Sequence, residues 1–286
     1  MPVKVGLQLY SVRNSMREDP VLTLEKVAAI GYKNIEVANH DAANEFGVGF
    51  GVSSAQLNEI LGRFGSQVVS AHIWPFNEEN CRKIIEYNQQ IGNHYIVHPI
   101  DFFENEDDVL KKCEFYSKMG DICRQSGIKY LYHNHFMEYQ RFNGKTVLEI
   151  IRDNTDPHAV NFELDTFWTL RAGQDPVEVM KKFGSRIKLV HQKDFNNKTT
   201  TAVNLFDVVG PDAHINMENF VNSFASDDFT EIGTGCMDIQ SIIDTANDLG
   251  SVEYIILEQD YSKLDQLESI QVSMQAFHKF TSISWD

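Results

Sequence analysis

The chain has little of what announces the most familiar chemistries. Its four cysteines, Cys81, Cys113, Cys123 and Cys236, are scattered, and no two form a CxxC pair. That excludes a cysteine-rich zinc module and the disulfide framework of a small secreted domain, and it fits reduced thiols in a cytoplasm. Basic residues are scarce as well: 25 Lys and Arg face 41 Asp and Glu, for a formal net charge of -16. A field of that sign repels phosphate backbones and anionic lipid, so neither nucleic acid nor a membrane is an expected partner. No apolar run approaches membrane-spanning length, and the opening MPVKVGLQLYSVR alternates apolar with polar residues where a secretory leader would have a basic stretch followed by an apolar one. The expected location is cytoplasmic. Also missing are a GxGxxG turn after the first strand candidate, a P-loop, a GxSxG elbow and any recognised Cys-His spacing. Dinucleotide binding, nucleotide hydrolysis and nucleophilic acyl transfer thereby lose their usual signatures.

What is present is a repeat of short β-rich runs and longer helical stretches. The 42% hydrophobic content supplies a continuous core. Strand candidates fall at 3–10, 33–38, 67–73, 94–99, 128–135, 159–165, 187–194 and 252–260. Asp19-Pro20 and Asp175-Pro176 each offer an N-cap followed by proline at the first helical position, and Gly31 and Gly184 sit where those helices should stop. Residues 106–125 and 239–249 carry apolar stripes at three- and four-residue spacing. Eight βα units without a dinucleotide turn predict an α/β fold, one (β/α)8 TIM barrel over 1–286, ahead of an open doubly wound sheet. One connection is out of proportion: a segment at about 195–236 follows the seventh strand, where a βα loop usually has about two to six residues. It is expected to be a functional lid or wall.

In such a barrel the working groups stand at the C-terminal ends of the strands. There the sequence places His133 and His135 on strand five, Glu163 and Asp165 on six, His191 and Lys193 on seven, and Glu258 and Asp260 on eight. Each pair is spaced by two, so both members face the same side of their strand. Gln8, Glu36, His72 and His98 occupy comparable positions on the earlier strands. Clustered carboxylates and imidazoles are costly to bury unless a divalent cation compensates them. The mixed donor set suits Mn²⁺, Co²⁺, Zn²⁺ or Fe²⁺ better than Ca²⁺ or an all-water Mg²⁺ site. Other roles stand beside ligation. His72 and His98 read as structural groups or substrate contacts, Glu163 as a partner for Lys193, and Asp260 as a loop cap or the holder of a basic side chain. Trp168 reads as packing or as one wall of a sugar site.

In this order, GLQLYSVR, YHNHFMEY, ELDTFWTLRAGQDP, VHQKD, EIGTG and ILEQD resemble the xylose isomerase-like TIM-barrel superfamily of sugar phosphate isomerases and epimerases. The resemblance covers nearly the whole chain and implies one divalent metal, Mn²⁺ first, with Co²⁺, Zn²⁺, Fe²⁺ or Mg²⁺ as alternatives. The ligands it implies are Asp165, His191 and Glu258, with strand five contributing His133, His135 or Glu138. Many ketose epimerases of the superfamily have Glu in an ENH triplet where this chain has His133, so one of their two proton-shuttling glutamates is replaced. The apurinic endonucleases share the fold, but Trp168 stands where that branch has a zinc-binding His. Catalytic candidates are therefore Glu258, Glu138 and Lys193. Substrate contacts are expected from His72, His98, His135, Trp168 and Glu231, the last opening the EIGTG segment that would receive an anionic group at a helix N-terminus. The expected function is isomerisation or epimerisation of a sugar, keto-sugar or cyclitol through an enediolate. A lyase or dehydratase, or a keto-glycoside-cleaving enzyme, is the first alternative, and a non-catalytic sugar-binding barrel the second. The expected partner is a small sugar or sugar derivative, with a homo-oligomer as a further option.

Overall fold

The computed structural model describes residues 2–285. Eight parallel strands run in chain order around a closed barrel: β1 (Val3–Gln8), β2 (Asn34–Asn39), β3 (Gln67–Ile73), β4 (Tyr95–His98), β5 (Lys129–His133), β6 (Val160–Asp165), β7 (Ile187–Gln192) and β8 (Tyr254–Leu257). Closure is made by β8 pairing back onto β1, Val5 opposite Ile255 and Leu7 opposite Leu257. The open-sheet alternative is thereby excluded. A short strand, Ile283–Ser284, lies parallel to β1 at Val3 and Lys4. Among the described residues no helix is long and apolar enough to cross a membrane.

Period-2 alternation divides each strand between two environments. One set of side chains joins the large apolar layer between barrel and helices, including Ile96, Tyr130, Tyr132, Phe162, Val190 and Ile255. The other set fills the barrel: Tyr95, Val97, Leu131, Leu189 and Ile256 form a separate buried cluster. Two residues further along β5, β7 and β8, on the same inward face, come His133, His191 and Glu258. An apolar floor thus carries a polar layer directly above it.

The helix punctuation follows from local chemistry. Asp19 Oδ1 accepts from Leu22 N at 3.0 Å to open the helix Pro20–Ile30, and Asp175 caps the helix Pro176–Phe183 through Val177 N at 2.9 Å. Gly31 closes the first of these helices with φ of 117°, a left-handed conformation that glycine adopts without strain. The long connection after β7 is structured. Asp194–Phe195 pairs antiparallel with Phe229–Thr230 at its root, and it carries the helices Phe206–Val209 and Met217–Ser223. Arg171 and Asp228 anchor it with a fully buried ion pair of 2.8 Å.

Candidate metal centre and substrate cavity

Four of the predicted ligands converge. His133, Asp165, His191 and Glu258 are all buried, and each offers a donor atom within 4.8 Å of the others. An overlapping group, His72, His133, Glu163 and His191, meets the same limit. The hydrogen bonds separate the roles of the two groups. Glu163 Oε2 lies 2.5 Å from His72 Nε2 and 3.0 Å from His133 Nδ1, so it orients imidazoles. Glu36 does the same for His191 Nε2, while His191 Nδ1 faces Glu258 Oε2 at 3.2 Å. A carboxylate behind each histidine is the usual way a protein fixes the tautomer of a metal-binding imidazole. Two nitrogens and two carboxylates are a donor set that fits a first-row divalent cation. The buried Glu36 Oε2 and Glu163 Oε1, neither with a hydrogen-bond partner, add unneutralised acceptors to the same layer.

Electrostatics sort these groups by state. Burial pushes the Glu36 carboxyl up, but His72 and His191 overcome it and hold the group at about 2. Burial and the ionised Glu36 push Glu163 well up, so the pair shares one proton. His72 is lowered to about 4 and His135 to about 3, in both cases chiefly by burial, which leaves neutral rings with free lone pairs. Burial opposes ionisation of Glu258, yet Lys193 and His191 hold its carboxyl well below the ordinary range. Burial also works against the Lys193 ammonium, which Asp165, Asp260 and Glu258 keep charged. Lys193 Nζ lies 2.5 Å from Asp165 Oδ2, bonds Glu258 Oε2, and stands 3.9 Å from Asp260 Oδ2.

Above this layer opens a cavity of about 380 Å³. His72, His133, His135, Trp168, Glu258 and Asp260 reach it from the barrel, and Met217, Phe220, Val221 and Phe224 cover it from the long β7 connection. His135 Nδ1 and Trp168 Nε1 are buried without partners and belong to two residues of this lining. Tyr10, His40 and Trp74 also line it and escaped the sequence reading. The period of two could have found the last two, because His40 stands four residues after Glu36, and Trp74 two after His72.

Several sequence expectations need correction. His98 does not reach the cavity: Tyr95 and Val97 face the barrel interior, so His98 turns to the helix layer, stacked on Tyr132 with ring centroids 5.7 Å apart. Glu138 is neither ligand nor cavity base. Tyr132 Oη donates to its Oε1 at 2.7 Å and His135 N to its Oε2 at 2.8 Å, which ties down the turn after β5. Glu163 faces histidines instead of Lys193. Glu231 lies away from the cavity and accepts from Ser262 Oγ at 2.5 Å and Ser269 Oγ at 2.9 Å. The EIGTG amides hold no external anion. Asp194 fills their concavity, Oδ2 accepting from Gly233 N at 2.9 Å and Gly235 N at 3.0 Å, and Oδ1 from Met237 N at 3.1 Å. A Cβ on Gly235 would collide with that carboxylate.

A sugar phosphate isomerase/epimerase from Parabacteroides distasonis is similar in fold, with a TM-score of 0.74 at 24% identity, over 99% of this chain and 96% of its own. The IOLI protein with a bound zinc atom is similar as well, with a TM-score of 0.69 at 17% identity over 97% of both chains. Among curated proteins, the inosose dehydratase of Clostridium perfringens is 25% identical over 156 residues, 54% of this chain and 48% of that protein. The inosose dehydratase of Salmonella typhimurium is 29% identical over 175 residues, 60% of this chain and 53% of its own length. The chain thus spans about half the length of the curated relatives it matches. Residues 24–280 match the family model described as xylose isomerase-like TIM barrel. Closed parallel barrel, strand-end donors and family match agree, and the chain belongs to the xylose isomerase-like TIM barrel family.

Proposed function

We propose that the protein is a metal-dependent enzyme that removes a proton beside the carbonyl of a sugar, keto-sugar or keto-cyclitol and isomerises it through an enediolate. The observation that carries this reading is the convergence of His133, Asp165, His191 and Glu258 beneath a cavity into which Glu258 also reaches. Those four residues would hold one divalent cation, manganese first, which when bound supplies Lewis acidity to the substrate oxygens. A cytoplasmic setting and a wall formed by the segment 195–236 belong to the same reading.

The chain's own residues divide the remaining work. Glu258 is the base, ionised and open to the cavity. Lys193 balances the charge of Asp165 and Glu258. Glu36 and Glu163 hold the imidazoles of His191 and His133 in place. His133 stands where a second carboxylate would be needed for two-base epimerisation, so one base must both take and return the proton. That favours isomerisation over epimerisation.

A second reading, a lyase or dehydratase, is favoured by Asp260. Its side chain lines the cavity on the same strand end as Glu258, where it can hand a proton to a leaving group. The names of the inosose dehydratase relatives point the same way. Incubation with keto-sugars and cyclitols in deuterated water, followed by NMR, separates the two. Deuterium exchange with isomer formation supports the first, and loss of water or of an aglycone supports the second. Absence of both exchange and turnover in protein shown by elemental analysis to carry its metal leaves only a non-catalytic sugar-binding barrel.

A further inference from the structure

We infer that the mouth of the cavity is a subsite for an apolar group, so that the substrate is an uncharged keto-sugar or keto-cyclitol derivative bearing an aromatic or branched aliphatic substituent, as in an aryl keto-glycoside, for which simple aryl glycosides serve as binding probes. The inference rests on the sugar-enzyme reading for the inner half of the cavity and adds the occupant of its outer half.

Large apolar side chains ring the opening and stay wet. Trp74 is 47% exposed, Val221 51% and Met217 53%, although each lines the cavity. Ile100 and Phe220 continue the same wall. These residues come from the connections after β3, β4 and β7, three separate segments that converge on one opening. Exposed apolar surface gathered around a concave site marks the part of a ligand that covers it. At about 380 Å³ the cavity lies at the small end of the usual ligand range of about 300–1,000 Å³, which suits a compact sugar with one attached group.

The lining's charge weighs against the competing occupant, a phosphate ester. Among the described residues no Lys or Arg lines the cavity, whereas Glu258 and Asp260 do. Two cations beside the cavity are already engaged. Lys193 bonds Asp165 and Glu258, and Arg13 stacks 4.2 Å from the Tyr10 ring while donating to Tyr10 O at 2.9 Å and Asp260 O at 2.6 Å. The backbone amides of the EIGTG turn, the one anion cradle the sequence offered, hold Asp194. With Glu258 committed to the cation, a dianion in the outer half of the cavity would meet the Asp260 carboxyl and no Lys or Arg of the lining.

The test is calorimetric titration of the purified protein with matched phenyl and methyl β-glycosides of glucose, galactose and xylose, and with glucose 6-phosphate. For the best-bound sugar, the phenyl glycoside should bind about ten-fold or more tighter than the methyl glycoside. Glucose 6-phosphate should bind weakest. Trp74→Ala and Val221→Ala, both at exposed positions whose loss leaves the core intact, should each shrink the phenyl preference several-fold while leaving methyl glycoside affinity and metal content unchanged. Equal phenyl and methyl affinities, tightest binding of the phosphate ester, a preference that survives both substitutions, or no binding at millimolar concentration each overturn the inference. A phenyl preference in a protein that shows neither bound metal nor deuterium exchange would instead remove the enzyme reading and leave the subsite standing.

Discussion

Glu258 meets Lys193 and His191 on one side and the cavity on the other, whereas Asp165 and His191 stay beneath the lining. That position gives Glu258 two tasks and the other two one each. Glu258→Gln keeps one ligating oxygen and loses basicity, so turnover should fall by roughly two orders of magnitude or more while part of the metal is retained. Asp165→Asn and His191→Ala should lose metal outright. Elemental analysis, melting temperature and rate on the same three variants decide this, and wild-type turnover in Glu258→Gln removes the base. Glu138 provides a pH prediction. Burial raises its pKa from the ordinary 4.5 to about 7, against the opposing hydrogen bonds of Tyr132 and the His135 amide. The folded state therefore binds the proton more tightly than the unfolded chain. The stability it contributes is complete below about pH 4.5, declines as pH rises, and is gone above about pH 7. The loss across that window amounts to at most about 3 kcal/mol. In Glu138→Gln the amide oxygen accepts from His135 N and the amide nitrogen donates to Tyr132 Oη. The variant should lose this slope and gain stability relative to wild type at pH 8, measured by denaturant titration at several pH values. A parallel pH profile for both proteins counts against it.

The long connection after β7 is held by one buried charge pair, and its fate tests whether it shapes the cavity. Asp228 accepts from Thr199 Oγ1 at 2.7 Å and Ala225 N at 2.9 Å, besides pairing with Arg171. Asp228→Ala leaves a buried guanidinium without its counter-charge and should cost about 3–5 kcal/mol. Substrate KM should rise as Met217 and Phe220 lose their support, with metal content unchanged. Arg171→Met combined with Asp228→Leu should recover most of the stability, and a single variant with native melting temperature and KM would show that the pair anchors nothing. At this same scale the sequence was readable to different depths. The third strand candidate, 67–73, coincides with β3, because its apolar run ends in turn residues on both sides. The fifth and eighth, at 128–135 and 252–260, overshoot strands that end at His133 and Leu257. Their polar tails keep the same alternation after the ladder hydrogen bonds have stopped, and alternation alone cannot mark that point. His98 ends its strand on the opposite parity, which strand-end position alone does not reveal. The two apolar residues Tyr95 and Val97 already fix which face of β4 points inward.

At the scale of the barrel, eight strands in order were legible, and so were the four donors at their ends, since order and periodicity are local properties. The partners across the interior were not. His191 meets Glu36 from 155 positions away, and His72 meets Glu163 from 91, because closure sets β2 and β3 opposite β6 and β7. No spacing rule encodes that. Closure also stacks Glu36, Glu163, Asp165 and Glu258 in one layer, with Lys193 as its buried ammonium and His191 as its raised imidazole. A cation bound there exists only in the folded barrel and must stabilise it by mass action, by about 2.7 kcal/mol when free metal exceeds its dissociation constant a hundredfold. For a domain of this size each kcal/mol moves the melting temperature by roughly 2–4 °C, so chelation should lower it by about 5–10 °C and abolish turnover. Added Mn²⁺ or Co²⁺ should restore both, and the recovered melting temperature should climb with metal concentration. His191→Ala serves as the control, since its melting temperature should not respond to either chelator or metal. Full activity with an unchanged melting temperature in protein shown by elemental analysis to be metal-free would mean that Lys193 and His191 alone neutralise the layer, and the metal-dependent chemistry would have to be abandoned.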